Sequence, residues 1–334
     1  MKRKITDPYL SPVILYCQGK QRYDIFAGMQ THPRKEKEMR RIVSLLLVLV
    51  LVPVCAWAEL SAWFVDVGQG DCTVIVCDGE AMIIDGGPGT KSRQVYSFVR
   101  ETLGLTKLEY VISTHPHEDH LGGLAAVLNA VPADLLLTPV TEWDTGRFAQ
   151  VMRYARKAGT PVDVPKAGDT LRLGGATVTV LHCWPEAPRV IEGDVNDMSV
   201  VVRIDYGSTS VLVTGDAEET AEYMMMDTAL PLKADVLRVA HHGSTHSTTE
   251  AFLRAVSPAY AVISCGKRND NGHPHARVLN ALKKQGITLF RTDLQGTVRC
   301  MSDGEKITLT AEREAEEASL FTAPRWVPGK NEGA

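Results

Sequence analysis

The sequence lacks the features that would mark it as a cysteine-based, repetitive or multi-spanning protein. Its seven cysteines include no Cys-x-x-Cys pair, so a cysteine-type zinc motif is excluded. There is no low-complexity segment and no internal repeat at the periods of solenoids. The one pronounced apolar run, at 42–52, is shorter than the roughly 20 residues of a transmembrane helix. What remains is a chain of 334 residues, 44% of them hydrophobic, which can bury one large core or two small ones.

The chain also lacks a general excess of positive charge. Residues 1–58 hold ten Lys or Arg and four Asp or Glu, which leaves 26 and 36 in the remainder and a net charge of −10 there. An acidic domain has no basic footprint for duplex DNA, so we expect no tight duplex binding. A local strip formed by Lys267, Arg268, Arg277 and Lys283 could still guide a chain of phosphates.

A targeting segment is predicted ahead of the main domain. Basic residues at 39–41 precede the apolar run, which is followed by Ala56-Trp-Ala58. This arrangement is typical of a signal peptide, here 39–58 with cleavage after Ala58. We therefore expect a secreted or extracytoplasmic protein with no stable membrane span after cleavage. The alternative is an uncleaved membrane anchor formed by residues 42–58.

Short strand patterns and helical periodicities alternate along the rest of the sequence. The first three strand patterns, 61–67, 72–77 and 81–85, are separated by Gly and Asp turns, which predicts an antiparallel meander. Further strands are predicted at 108–113, 133–140, 176–181, 199–206, 210–214, 235–240, 260–264, 287–290, 296–301 and 306–310. Helices are predicted at 94–103, 121–128, 146–157, 217–226, 248–256 and 276–284.

This order of elements predicts an α/β fold, an αβ/βα four-layer sandwich in which two mixed β-sheets pack face to face with helices outside. We place this domain at residues 59–312. Residues 313–334 are charged and then carry Pro and Gly, so we expect a flexible tail. Residues 1–38 are polar and aperiodic, and we interpret them as an unstructured start-site extension upstream of Met39.

Four potential metal ligands lie within six residues: His115, His117, Asp119 and His120 directly follow the apolar run 108–113. Three imidazoles and a carboxylate at the end of a strand are costly to fold unless a cation organises them. They are ligands suited to Zn, Mn or Fe. The flanking Ser-Thr and Leu-Gly-Gly-Leu sequences indicate a strand, a turn and a closely packed helix start. The motif therefore predicts a metal site.

Other candidate site residues also follow predicted strands. Asp85 ends the third strand, Asp216 follows a strand and a Gly turn, His241 and His242 end another strand, and His273 lies in a short loop after the next. Eight of the ten histidines fall in three such loops. Side chains delivered from several strand ends can converge on one mouth of a sandwich, where the sheets keep them rigid.

These motifs resemble the metallo-β-lactamase-fold hydrolases, whose signature is His-x-His-x-Asp-His. The branch most similar to this chain is the hydrolase-like domain of the DNA-internalisation competence proteins (ComEC). The similar motifs are Phe64-Val-Asp-Val-Gly-Gln-Gly-Asp71, Val239-Ala-His-His-Gly-Ser244 and Gly272-His-Pro-His275. The resemblance covers about residues 61 to 310, without the long membrane channel of the competence proteins. It therefore implies a free-standing secreted relative and not the transporter.

The resemblance also implies a distribution of ligands over one or two divalent metal ions, Zn or Mn. It places His115 and His117 on the first metal and Asp119 and His120 on the second. Asp216 would bridge both. His273 is expected as the last ligand of the second metal. His241 and His242 are expected either as ligands or as contacts to the substrate and its leaving group.

The third histidine that this superfamily usually gives to its first metal is missing. Asn196-Asp197 occupies that region, and His182 lies further upstream. Asp197 or Asn196 could bind through oxygen, which would favour Mn or Fe over Zn. Alternatively, the first site is weak and one metal suffices.

The resemblance implies hydrolysis by a metal-activated hydroxide. If one metal is bound, Asp119 is expected to orient this hydroxide and accept its proton. The expected substrates are anionic phosphodiesters, either single-stranded nucleic acid or phosphocholine-type esters. An alternative is a lactam or lactone hydrolase of the same fold, which the missing histidine disfavours. A second alternative is a non-catalytic, metal-stabilised binding module. Asp119 speaks against that alternative, because a closed structural site needs no extra oxygen donor.

Overall fold

The computed structural model describes residues 59–186 and 195–324. The predicted start-site extension and signal peptide lie outside these residues. The described strands are β1 (Leu60–Phe64), β2 (Thr73–Cys77), β3 (Glu80–Ile84), β4 (Leu108–Ile112), β5 (Ala133–Leu137), β6 (Val162–Asp163), β7 (Thr170–Leu173), β8 (Ala176–His182), β9 (Val201–Tyr206), β10 (Thr209–Val213), β11 (Val236–Arg238), β12 (Tyr260–Ile263), β13 (Thr288–Arg291), β14 (Val298–Ser302) and β15 (Ile307–Ala311). The described α-helices are α1 (Ser92–Ser97), α2 (Glu118–Leu121), α3 (Leu124–Ala130), α4 (Gly146–Ala158), α5 (Glu219–Met226), α6 (Glu250–Val256), α7 (Ala276–Lys284), α8 (Thr292–Gln295) and α9 (Glu317–Leu320); two 3-10 helices, Gly89–Lys91 and Ala240–Gly243, and a π-helix, Phe98–Thr102, are also described.

The strands form two mixed sheets. The first has the order β15-β14-β1-β2-β3-β4-β5-β6, and the second has the order β13-β12-β11-β10-β9-β8-β7. In the first sheet, pairing is antiparallel from β15 to β3 and parallel from β3 to β6. In the second, it is parallel from β13 to β10 and antiparallel from β10 to β7. The parallel half of each sheet therefore presents several strand ends at one edge.

Alternation along the strands separates the core into layers. In β2, Ile75 and Cys77 face the core between the sheets, whereas Val74 packs on the opposite face beneath the helices. Residues of both sheets share the central core, and each sheet covers its outer face with its own helices. Helices α1, α3 and α4 cover the first sheet, and α5, α6 and α7 cover the second. The predicted αβ/βα four-layer sandwich is confirmed.

The local sequence explains where the longest helix begins and ends. The side chain of Thr145 accepts a hydrogen bond from the backbone N–H of Phe148 and caps the start of α4. Gly159 follows its last turn with φ of 73°, a left-handed conformation that glycine adopts without a steric cost. Between these two signals Phe148, Val151 and Ala155 form the buried face.

The segment expected to be a flexible tail differs from that expectation up to residue 324. It contains α9, and Leu320 is buried against the second sheet's helical layer. The guanidinium of Arg291 donates hydrogen bonds to the carbonyls of Leu320 and Thr322, at 3.0 Å and 2.7 Å. The charged composition predicted exposure, but these backbone acceptors and one apolar side chain attach the segment to β13.

No helix within residues 59–186 and 195–324 combines the length and the hydropathy required to cross a bilayer.

Candidate metal centre

The sequence-predicted site residues come from the carboxyl ends of parallel strands in both sheets. In the first sheet, Asp85 follows β3 and the loop beginning at His115 follows β4. In the second sheet, Asp216 follows β10 and His242 follows β11. Because β3 runs parallel to β4 and β10 runs parallel to β11, each pair ends at the same edge of its sheet. The two edges meet, and the structure brings these groups together.

Three overlapping groups of potential donors share His120, and in each group the donor atoms lie within 4.8 Å of one another. One group contains Asp71 and Asp85; the other two contain predicted ligands, His115 and Asp216 in one and Asp119 and His242 in the other. His120 Nε2 lies 3.1 Å and His115 Nε2 4.0 Å from Asp216 Oδ2. His242 Nε2 lies 3.3 Å from Asp119 Oδ2 and 3.5 Å from Asp216 Oδ2. Asp216 therefore connects the latter two groups, as the resemblance implied for a bridging ligand.

Asp85 orients His120 and does not need to touch the ion itself. Its carboxylate is fully buried and accepts hydrogen bonds from the backbone N–H and the hydroxyl of Thr114, at 2.8 Å and 2.6 Å. His120 Nδ1 lies 2.8 Å from Asp85 Oδ2 and donates its proton to it. This contact leaves Nε2 of the ring directed at the cluster, as carboxylates commonly do for metal-binding histidines.

A backbone carbonyl fixes His242 in the same way. His242 Nδ1 lies 2.8 Å from the carbonyl oxygen of Ser264 and donates its proton there, which leaves Nε2 as an acceptor facing Asp119 and Asp216. His241 and His242 have φ of 48° and 54°, in the left-handed region that non-glycine residues rarely adopt. This sharp turn directs two consecutive imidazoles toward the same carboxylate.

His241 has its own orienting partners at the rim of the cluster. Its Nδ1 lies 2.8 Å from Glu218 Oε1, and its Nε2 lies 3.8 Å from Asp216 Oδ2. Glu218 also accepts a hydrogen bond from the side-chain amide of Asn196 at 2.9 Å. The ring is about one fifth exposed, in contrast to the buried ring of His242.

Unpartnered buried atoms show that the donor set fits a divalent cation. His120 Nε2, His242 Nε2, Asp216 Oδ1 and His273 Nδ1 are all buried and make no hydrogen bond with described residues. An unsatisfied buried polar atom costs about 1–3 kcal/mol. His120 Nε2 and His242 Nε2 lie 3.1 Å and 3.5 Å from Asp216 Oδ2, and imidazole nitrogen and carboxylate oxygen are the ligand types of Zn, Mn and Fe. A divalent ion would satisfy both nitrogens together.

His115 and the two carboxylates are in the protonation states that bind metals. Burial and the neighbouring His120 hold the pKa of His115 well below its usual range, so its imidazole is neutral. Burial opposes ionisation of Asp216, but His120 and His242 keep the pKa of this carboxyl well below its usual range. The same two histidines, against the effect of burial, lower the pKa of Asp119. Neutral imidazole and ionised carboxylate are the forms that bind metals. Burial lowers the pKa of His120, but Asp216, Asp85 and Asp119 outweigh burial and raise it well above its usual range, so this ring must release a proton when it binds an ion.

Two predicted ligands lie beside the cluster. His117 Nδ1 is 3.0 Å from His115 Nε2, so the first pair of the motif is adjacent. The ring centroid of His273 lies 5.3 Å from that of His241 and 6.0 Å from that of His242, and burial and these histidines lower the pKa of His273 to about 3. The three groups of donors defined above include His242 and omit His273. A ligand role for His273 stays a prediction.

Asp197, the predicted substitute for the missing histidine, is used by the fold. Its Oδ1 accepts hydrogen bonds from the backbone N–H groups of Glu218 and Ala221, at 2.8 Å and 3.3 Å, and so caps the start of α5. The structure does not bring Asp197 into any of the three donor groups. His182 donates from Nε2 to the carbonyl of Asp197 at 2.8 Å and is also directed elsewhere.

The sequence reasoning missed Arg238, which lies beneath the cluster. Its side chain is fully buried; one terminal nitrogen is 2.8 Å from Asp71 Oδ2, and the other donates to the carbonyl of Gly215 at 2.6 Å. The pair joins the β1–β2 turn of one sheet to β11 of the other. A single charged residue in the apolar strand sequence Val236-Leu-Arg-Val-Ala was the available signal, because arginine is rarely buried without a partner.

Glycine is required where the β10 strand delivers Asp216. Gly215 has φ of 53°, and a Cβ atom there would lie 2.8 Å from Thr114 Cβ and 2.9 Å from Ser199 Oγ. A side chain would therefore separate the two sheets at the point where their ligands meet.

Comparison with known proteins agrees with this geometry. The Metallo-beta-lactamase superfamily profile matches residues 65–267. ComE operon protein 3 of Bacillus subtilis is 31% identical over 271 residues, which are 76% of this chain and 34% of that protein. Recombination protein 2 of Haemophilus influenzae is 32% identical over 265 residues, which are 76% of this chain and 31% of that protein. The chain thus spans about a third of the length of the curated relatives it matches.

Among solved structures, the metallo-beta-lactamase fold protein YhfI of Bacillus subtilis aligns with a TM-score of 0.47 and 14% identity, covering 70% of this chain and 96% of that one. The matches to competence and recombination proteins confirm the resemblance that the sequence motifs indicated. The family profile covers more than half of the residues, including the histidine loop and Asp216. The chain belongs to the metallo-β-lactamase superfamily.

Proposed function

We propose that this protein is an extracytoplasmic, metal-dependent hydrolase of phosphodiesters, either single-stranded nucleic acid or phosphocholine-type esters. The observation that carries the proposal is the convergence of buried, unpartnered imidazole nitrogens and carboxylate oxygens from two sheets. His115, His120, Asp119, Asp216 and His242 would hold one or two divalent ions. Such an ion lowers the pKa of a coordinated water from ~15.7 to about 7 and so supplies a nucleophile at neutral pH.

Two partly exposed members of the site can be assigned to proton transfer. The side chain of Asp119 is about one third exposed, and His120 and His242, against the effect of burial, keep its carboxylate ionised. His241 is a partly exposed imidazole; burial lowers its pKa, but Asp216 and Glu218 outweigh burial and raise it. We assign Asp119 as the proton acceptor and His241 as the donor to the leaving oxygen. His242, with Nε2 in the cluster, is assigned as a ligand.

Export and the choice of substrate rest on further observations. The basic, apolar and Ala-x-Ala pattern at 39–58 supports secretion, and retention of residues 42–58 as an anchor is the alternative. Recombination and competence appear in the names of two relatives that match 76% and 72% of this chain, which favours nucleic acid. The net charge of −10 outside residues 1–58 speaks against tight duplex binding.

A lactam or lactone hydrolase of the same fold is the second candidate. It is disfavoured because the position of the usual third histidine holds Asp197, whose carboxylate caps α5. A metal-stabilised binding module is disfavoured by the exposed carboxylate of Asp119, which a closed structural site would not need.

The test uses two substrates and one set of variants. Hydrolysis of bis-p-nitrophenyl phosphate and of nitrocefin is measured with Mn or Zn for the unaltered protein, Asp119→Ala and Asp216→Ala. Asp303→Ala, in the β14–β15 turn at the far end of the first sheet, is the matched control. We expect the unaltered protein and the control to hydrolyse the phosphodiester. Both site variants are expected to lose this activity, with kcat/KM at least about a hundredfold lower.

Each other outcome decides against the proposal. Turnover of nitrocefin alone would support the lactam hydrolase. Metal binding without turnover of either substrate would support the binding module. Phosphodiester turnover that survives Asp216→Ala would show that the reaction takes place away from this cluster.

A further inference from the structure

A cleft of about 610 Å³ opens beside the metal centre. Four basic side chains line it, Lys91, Lys267, Arg268 and Arg313, together with the carboxylates of Asp66 and Asp293. We call it the basic cleft. Its cations come from three distant parts of the sequence, so no local charge run indicates it.

The cleft adjoins the centre through its two walls. On one wall, Gln69 accepts a hydrogen bond from the backbone N–H of Gly266 at 3.0 Å, and two residues further on the N–H of Asp71 bonds to the carbonyl of Asp119 at 3.0 Å. On the other, the side chain of Asn269 bonds to both the backbone N–H and the carbonyl of His273, at 2.9 Å and 2.7 Å. The walls therefore continue directly into the loops that carry site residues.

The charge of the cleft is positive although the domain is acidic. Asp293 is neutralised by the guanidinium of Arg291, which contacts both of its oxygens at 3.0 Å and 2.7 Å. Asp66 accepts a hydrogen bond from the backbone N–H of Gly68 at 3.2 Å, and its other oxygen lies 3.7 Å from Arg313. Lys91 and Lys267 therefore face little uncompensated negative charge in the cleft. Anionic groups are attracted to such a site more strongly than the net charge of the chain suggests.

Two of the four basic residues expected from the sequence to guide phosphates line the cleft. Lys267 and Arg268 line the cleft, but Arg277 donates to the backbone carbonyls of Ser247 and Thr248. Lys283 lies 5.7 Å from the ring centroid of Phe321. Lys91 and Arg313 take the places of these two residues in the cleft.

The lining distinguishes between the two substrate classes. A choline head group is a quaternary ammonium, which proteins bind with aromatic rings. Among the described residues that line it there is no Trp, Tyr or Phe, and its basic side chains repel an ammonium. A nucleic acid strand instead carries a further phosphate beside the scissile one. The smaller cleft near His115, about 420 Å³, contains Glu118 and Arg147, which pair with each other at 3.5 Å and offer no such excess of charge.

We propose that the basic cleft binds the phosphates that flank the scissile bond of a single-stranded nucleic acid, on one side of the metal centre. This inference rests on the proposed phosphodiesterase function and narrows its substrate. Because the cleft offers cations and no aromatic stacking platform, binding follows phosphate number and is independent of base sequence.

Direct binding tests the cleft separately from turnover. The probe is a fluorescein-labelled phosphorothioate strand of eight thymidines, which keeps its charges but resists cleavage, and the readout is anisotropy at several salt concentrations. The test variant is Lys91→Ala/Lys267→Ala. Lys306→Ala is the control. Lys306 lies in the β14–β15 turn, which follows Ser302, and Ser302 pairs with Leu60 at the start of β1, whereas the cleft residue Asp66 follows the end of β1.

We expect the double variant to raise Kd by about tenfold, and to lower the salt slope by about 0.7 for each phosphate that the protein no longer neutralises. The control is expected to bind as the unaltered protein does. An eight-residue adenine strand is expected to bind equally well, and free phosphocholine is expected not to compete. Equal affinity and salt slope in the double variant and the control would overturn the inference.

Kinetics separate this inference from the proposed function. The kcat/KM of a cleavable thymidine tetranucleotide is expected to fall about tenfold in the double variant relative to that of bis-p-nitrophenyl phosphate, which has no flanking phosphate. If the unaltered protein binds the strand but cleaves neither substrate, the proposed function is refuted, whereas the assignment of the cleft as a phosphate-binding site is not. If both substrates are cleaved and the double variant leaves the ratio of their kcat/KM values unchanged, only the assignment of the cleft is refuted.

Discussion

Replacing Arg238 by methionine is expected to destabilise the protein by about 3–5 kcal/mol, because it leaves one partner of a buried ion pair uncompensated. The side chains of Arg238 and Asp71 are 0% and 1% exposed, and their closest atoms are 2.8 Å apart. Asp71 Oδ1 already lacks a hydrogen-bond partner among the described residues, so the remaining carboxylate would have little other stabilisation. The variant also loses the hydrogen bond to the carbonyl of Gly215. Urea unfolding with linear extrapolation measures the change.

A double-mutant cycle and an exposed pair provide the controls. Adding Asp71→Asn to Arg238→Met removes the unpaired charge, so the double variant is expected to be more stable than the sum of the two single changes by about 1–3 kcal/mol. Arg254→Met breaks a 3.4 Å contact to Glu250 between side chains that are 63% and 49% exposed, and is expected to cost less than about 0.5 kcal/mol.

The pH dependence gives the same prediction a second readout. Burial raises the pKa of Asp71 above its ordinary value, and Arg238 opposes that shift. Because the pKa of Asp71 is raised in the folded state, the contribution of this group to stability is fully present below its unfolded-state pKa and is lost as the pH rises. The destabilisation by Arg238→Met is therefore expected to be smaller near pH 4 than at pH 7. Additive single changes, or a cost for Arg238→Met below about 1 kcal/mol, would refute the reasoning.

Three further predictions concern metal affinity, backbone geometry and proton linkage. Asp85→Ala is expected to weaken metal binding by about 10–100-fold in a chelator competition titration, because His120 loses its orienting acceptor; unchanged affinity would contradict that role. Gly215→Ala is expected to cost at least about 1–2 kcal/mol in thermal unfolding, whereas Gly146→Ala, where a Cβ meets nothing within 4 Å, is expected to be close to neutral. Burial raises the pKa of Glu222 from 4.5 to about 7, so its contribution of up to about 3 kcal/mol is present below pH 4.5 and lost as the pH rises through about 7. Glu222→Gln is expected to flatten the unfolding free energy between those pH values, and an unchanged slope would exclude this linkage.

The layered fold could be predicted from the sequence because strong local patterns define most of its elements. The strand predicted at 108–113 is observed at Leu108–Ile112, and the helix predicted at 276–284 is observed as α7 with those bounds. The strands β6 and β7 were missed. Each lies at the edge of a sheet and pairs on one side only, so its extended conformation depends on a neighbour more than on its own residues.

The site was predictable in outline but not in its assignment of roles. Clustered histidines after β4 and the aspartate after β10 identified the donors that the structure brings together. The sequence could not separate His241 from His242, because left-handed backbone conformations at both residues and the carbonyl of Ser264 decide which ring enters the cluster. The cap formed by Asp197 and the pair formed by Arg238 depend on contacts across the fold, which local patterns do not encode.

The division of the donors between two sheets has a consequence for folding. His115 and His120 belong to the first sheet and Asp216 and His242 to the second, so an ion held by all of them would act as a reversible cross-link at one end of the sandwich. At a free concentration one hundred times Kd, such a link adds about 2.7 kcal/mol to the free energy of unfolding. Metal supply would then influence how long the protein resists proteolysis, and metal depletion would let the sandwich open first at the end that carries the candidate metal centre.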